Sequence, residues 1–103
     1  MSDFEFKVLE NFCSCYLHQD WEMEFDSPDD AINTFCFKEP KENLSILLSE
    51  IDELIRCKLS EAEMETFLTN LGCYYEPRLD GLSPEGWLIK IRTLVYSKTR
   101  TQQ

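Results

Sequence analysis

The chain has 103 residues, 43% apolar and 13% aromatic, which suffices for one compact core and argues against a disordered chain. Its net charge of −10 disfavours direct binding to nucleic acid, where affinity comes mostly from Lys and Arg on phosphates, and favours a basic protein partner. No apolar run approaches the ~20 residues of a membrane-spanning helix, and Met1 to Lys7 lacks the basic-then-apolar order of an export signal, so a cytoplasmic domain without membrane contact is expected.

Every long segment repeats its apolar residues with a helical period. The expected fold is all-α, one domain over residues 1–103 built as a compact bundle of about five helices. The first helix is predicted over about residues 4–17, with Val8, Leu9, Phe12, Cys13, Tyr16 and Leu17 on one stripe and Asp3 as its cap. Phe4 and Phe6 alternate like a strand, but the pair is too short to outweigh that stripe.

Next comes an acidic connection that holds Asp20, Glu22, Glu24, Asp26, Asp29 and Asp30 and no Lys or Arg, with Trp21 and Phe25 between the acids. Ser27-Pro28-Asp29-Asp30 is a helix start, with a hydroxyl for an orphan amide, Pro where its missing N–H is harmless, and acids at the positive end of the dipole. Asp29 and Asp30 therefore have a structural task. This short helix buries Ala31, Ile32, Phe35 and Cys36 and stops before Pro40. From about Lys41 to Cys57, Leu44, Leu47, Leu48, Ile51, Leu54 and Ile55 mark the central helix of the core, with Glu50, Asp52, Glu53 and Arg56 assigned to its other faces.

Ser60-Glu61-Ala62-Glu63 is a capping box, Met64, Phe67, Leu68 and Leu71 form the stripe behind it, and Gly72 ends the helix in left-handed geometry. Pro77 and the Asp80-Gly81 turn separate it from a last helix that opens at Ser83-Pro84 and buries Trp87, Leu88, Ile91, Leu94 and Val95. Residues 1–80 hold nineteen acids and six basic residues, net −13, whereas residues 81–103 hold one and four, net +3. The basic face of the last helix (Lys90, Arg92, Lys98, Arg100) should therefore lie against acidic neighbours, and the tail 99–103 should fray.

Chemistry is hard to assemble from these residues. Five scattered cysteines, an odd number, read as reduced thiols packed as small apolar groups. Cys13 and Cys15 are the one close pair and His18 the one histidine, short of the four paired ligands of a structural zinc site, so no metal and no cofactor is expected. Only Gly72, Gly81 and Gly86 are present, so no phosphate-cradling loop exists. A nucleophile made of Cys13 or Cys15 with His18 would sit at a helix C-terminus, where the dipole opposes a thiolate. The chain is therefore read as a binding protein, not an enzyme. Tyr74-Tyr75-Glu76-Pro77 repeats the mixture of rings and carboxylates found at Trp21 and Phe25. The expected contact residues are Asp20, Glu22, Glu24, Asp26, Tyr75 and Glu76.

Three stretches add a resemblance: Tyr16-Leu-His-Gln-Asp-Trp21, Asp26-Ser-Pro-Asp-Asp30, and Leu71-Gly-Cys-Tyr-Tyr-Glu-Pro-Arg-Leu-Asp-Gly-Leu-Ser-Pro-Glu-Gly-Trp87. In this order, from Tyr16 to about Leu94, the chain resembles the small helical immunity proteins of bacterial contact-dependent growth inhibition systems. The resemblance implies a cytoplasmic inhibitor encoded beside a toxin, whose C-terminal domain it binds and neutralises. Many such toxins are nucleases with basic clefts, which an acidic protein can plug or cover, and a ribonuclease, the class that includes enzymes cleaving transfer RNA, is the first expectation. Residues shared across a family that meets different toxins belong to the common fold, so Trp21, Ser27, Pro28, Gly72, Gly81 and Trp87 are assigned a structural role, with specificity in the acids between them. An acidic adaptor, or a nucleic-acid mimic that binds a basic host protein, remains the alternative.

Overall fold

The computed structural model describes residues 5–101, and 5–99 with their side chains. Six α-helices follow in order, α1 (Lys7–Tyr16), α2 (Trp21–Glu24), α3 (Pro28–Lys38), α4 (Lys41–Arg56), α5 (Glu61–Asn70) and α6 (Pro84–Thr101), with a 3-10 turn at Pro77–Asp80 before the last. The five longer helices are the five expected. The single turn α2 and the 3-10 turn are additions inside the two long connections.

Helix starts are set by local chemistry. The Ser27 hydroxyl accepts from the Asp30 amide at 3.2 Å with Pro28 at the first helical position, and the Ser60–Glu63 box closes in both directions at 3.2 and 2.9 Å. The Ser83 hydroxyl accepts from the Gly86 amide at 3.0 Å at the head of α6. Helix α1 differs. It begins at Lys7, three residues later than expected, and Asp3 lies outside the described residues. Its first amides are capped from α4, where Glu50 accepts from Val8 N–H at 3.1 Å and from Leu9 N–H at 2.7 Å. Glu50 is consequently buried, not on an outer face as its place in the helical pattern implied.

Helix α6 packs on α3, α4 and α5, and α1 packs on α3 and α4. Between them lie Leu9, Phe12, Phe35, Leu44, Leu47, Ile51, Leu54, Trp87 and Leu88. The basic face of α6 meets acids as expected: Arg92 pairs with Asp52 of α4 and Lys90 with Asp29 of α3 at 3.4 Å. The helix continues to Thr101; Gln102 and Gln103 lie outside the described residues. Among the cysteines, Cys13, Cys36 and Cys73 are core thiols, whereas Cys15 and Cys57 are exposed, so packing accounts for three of the five. No described helix is long and apolar enough to cross a membrane.

Gly72 and Gly81 are both left-handed, at φ 99° and 76°, as their positions after helical turns require. Gly72 also passes close to α1. A Cβ there would stand 3.1 Å from that of Ser14, so the glycine lets the second long connection lie on the first helix.

Candidate functional site

The two long connections, far apart in sequence, come together. The Tyr74 amide donates to the Leu17 carbonyl at 2.8 Å, which ties the start of the second connection to the end of α1. Above this tie, Trp21 meets Tyr75 edge to face at 5.7 Å between ring centroids, and Tyr75 lies 5.3 Å from Trp87 of α6. The three rings run from α2 through the second connection into the core. Trp21 and Trp87, assigned a structural role from the sequence, flank Tyr75 on its two sides.

Tyr75, expected as a contact residue, is the middle ring of this stack. It is only 8% exposed, and its hydroxyl donates to Asp80 at 2.6 Å. Burial and the adjacent Asp80 carboxylate push its phenol far above the usual range, so the ring stays neutral. The neighbouring Tyr74 is 60% exposed and is the ring a partner can reach. Sequence offers nothing to tell one adjacent tyrosine from the other; the difference is which one points at the Trp21–Trp87 gap.

Against this ring stack lies a cleft of ≈ 230 Å³ lined by Trp21 and Glu22 from α2 and by Tyr74, Tyr75, Glu76, Leu79 and Asp80 from the second connection. Three lining residues are acids and none is basic. Leu79, 77% exposed, and Tyr74 add accessible apolar surface. Glu22, Tyr75 and Glu76, three of the expected contact residues, thus line one site. Leu79, Asp80 and Tyr74 were not among the expected contact residues, although Tyr74 was noted for its ring beside carboxylates and Asp80 as part of a turn.

The other expected acids lie elsewhere. Glu24 and Asp26 line a second groove of ≈ 430 Å³, with Phe25 and with Asp30, Asn33, Thr34 and Phe37 of α3. Asp20 is exposed at the head of α2 and lines neither groove. Helix α2 is therefore a ridge between two acid-lined grooves, with Met23 86% exposed on it. The ridge is fixed by His18, whose Nδ1 accepts from the Asp20 amide at 3.0 Å and whose Nε2 faces Glu24 at 3.3 Å.

These contacts leave no thiol–imidazole couple at the end of α1. Both His18 nitrogens are engaged, Cys15 donates to Asn11, and the Cys13 thiol is pushed up by its hydrogen bond to Cys73 and by burial. Among the described residues, no group of three His, Cys, Asp or Glu is placed to hold a metal ion.

Comparison with known proteins gives this geometry a context. A search of curated proteins finds no match. A chain of the crystal structure of a CdiA-CT/CdiI complex from Y. kristensenii superposes with a TM-score of 0.83 at 28% sequence identity, over 87% of this chain and 97% of that one. The family model described as CdiI immunity protein matches residues 5–95, so the chain belongs to the CdiI immunity protein family.

Proposed function

We propose that the chain binds the toxin C-terminal domain of its own contact-dependent growth inhibition system and neutralises it by occlusion, catalysing no reaction itself. The toxin is a nuclease, and the chain meets it in the cytoplasm with acids against a basic surface. The observation that carries this reading is the cleft beside α2, where Glu22, Glu76 and Asp80 surround exposed Tyr74 and Leu79 with no basic residue in the lining. Aromatic and apolar anchors inside a charged rim are the usual make-up of a binding hot spot. A nuclease supplies the complement, because a cleft that holds phosphates is lined with Lys and Arg. The crystal structure that superposes on this chain is that of a CdiA-CT/CdiI complex, which supports the class of partner.

The test is to mix the chain with the toxin domain encoded beside it and follow cleavage of transfer RNA, then of other nucleic acids. A one-to-one complex and stoichiometric loss of cleavage are expected. No complex, or cleavage that continues undiminished in the mixture, overturns the proposal.

A further inference from the structure

The groove on the far side of α2 holds a residue that the fold does not use. Helix α3 completes its inward face with Ala31, Ile32, Phe35 and Cys36, all buried, yet Phe37 near its C-terminus is 88% exposed. Single exposed apolar residues are common and by themselves mean little. Phe37, however, stands in the wall of a groove that also carries Glu24, Asp26 and Asp30, three exposed acids, with no Lys or Arg among its lining residues. Asp30 gives its backbone amide to the Ser27 cap, which leaves its carboxylate available to the groove.

An accessible ring beside the carboxylates of Asp26, Asp30 and Glu24, the last of which also faces His18, defines the chemistry of what would fill the space. A carboxylate-only groove would suit any cation, and a ring alone any apolar group. The combination favours arginine, whose flat, weakly hydrated guanidinium stacks on an aromatic face while its fork of N–H groups donates to carboxylates. Lysine, a compact and strongly hydrated charge, gains less from the ring.

We infer that the α3 groove is a receptacle for an arginine side chain of the toxin domain, stacked on Phe37 and hydrogen-bonded by Asp26, Asp30 or Glu24. This rests on the toxin-binding reading above and adds to it a second contact, on the opposite side of the α2 ridge from the cleft. A toxin surface that engages both would straddle α2, placing Met23 between the two contacts.

The experiment is calorimetric titration of the toxin domain into the full chain and three variants: Phe37→Ala, Phe37→Leu, and Asp26→Asn with Asp30→Asn. Because Phe37 is exposed, its variants should melt with the parent. Phe37→Ala should weaken binding by about five- to thirtyfold, the range of a partly desolvated cation–π contact. Phe37→Leu should fall nearly as far, having bulk but no ring face. The double Asn variant should weaken binding too, and adding Phe37→Ala to it should cost less than in the parent, since both act on one guanidinium. Affinity within twofold of the parent for Phe37→Ala overturns the receptacle. Full affinity for Phe37→Leu overturns the arginine and leaves a plain apolar contact. If the parent does not bind the toxin domain, it is the proposed function that fails, an outcome separate from either of these.

Discussion

Replacing Glu50 tests the least local feature of the fold. Helix α1 has no side-chain cap of its own, since the cap position is held by Phe6, whose backbone carbonyl accepts from Glu10 but whose side chain makes no cap hydrogen bond. Two of its orphan amides, Val8 and Leu9, instead donate to the two carboxylate oxygens of Glu50, 42 and 41 residues away, and the side chain is 3% exposed. The carboxylate also faces the positive end of the helix dipole. Hydrogen bonds to a charged group contribute about 1.5–3 kcal/mol, and a buried amide left without a partner costs about 1–3 kcal/mol. Glu50→Gln keeps the volume but turns an NH2 group toward one of the two donors, so a loss of about 2–3 kcal/mol is expected. Glu50→Ala adds a cavity and should lose about 3–5 kcal/mol, a large part of the about 5–15 kcal/mol that holds a domain of this kind. Urea unfolding followed by tryptophan fluorescence reads the total, and amide exchange at Val8 and Leu9 reads the site. If Glu50→Gln unfolds within about 0.5 kcal/mol of the parent and those two amides exchange at parental rates, the carboxylate is not the cap of α1 and the reasoning fails.

Two further predictions address the second connection. Tyr75 keeps its proton in the folded state to a higher pH than in the unfolded chain, so its contribution is fully present below the unfolded phenol value of about 10 and is lost as pH rises beyond it. Phe at this position should therefore cost about 1 kcal/mol at neutral pH, from the lost bond to Asp80, and should flatten the fall in stability above about pH 10; equal alkaline slopes for the two proteins would refute the assignment. Gly72→Ala should destabilise more than Gly81→Ala, because both impose a left-handed alanine, about 1–2 kcal/mol, and only the first also meets Ser14. Thermal melts of the two variants decide this, and equal losses would mean that α1 yields to the extra methyl without cost.

The five long helices were legible because their causes are local. Ser27-Pro28, the Ser60–Glu63 box, Ser83-Pro84 and Gly72 each act within a few residues, and the apolar stripes behind them are continuous. Glu50 was misplaced because what it caps lies some forty residues earlier, and a helical wheel knows nothing of a neighbouring helix end. Helix α2 and the 3-10 turn are four residues each, too short for a period. At the candidate site, composition alone picked out both connections and the acids Glu22 and Glu76. It did not indicate that the connections meet, that α2 divides the acids between two grooves, or that Tyr75 would be spent on Asp80 and the tryptophans. These are consequences of the tie between Tyr74 and Leu17 and of the ring stack, which exist only once the bundle has formed.

The central claim is that the acid-lined cleft meets a basic toxin surface, and the salt dependence of toxin affinity in a charge-reversed variant tests it most directly. Glu22→Lys with Glu76→Lys alters the cleft; Glu42→Lys with Glu61→Lys makes the same change of net charge at exposed positions outside it. The cleft pair should weaken binding at least about tenfold and flatten the decline of affinity with added salt, while the outer pair should change affinity by less than about threefold. Equal effects from the two pairs, or parental affinity and salt slope in the cleft variant, would contradict the account.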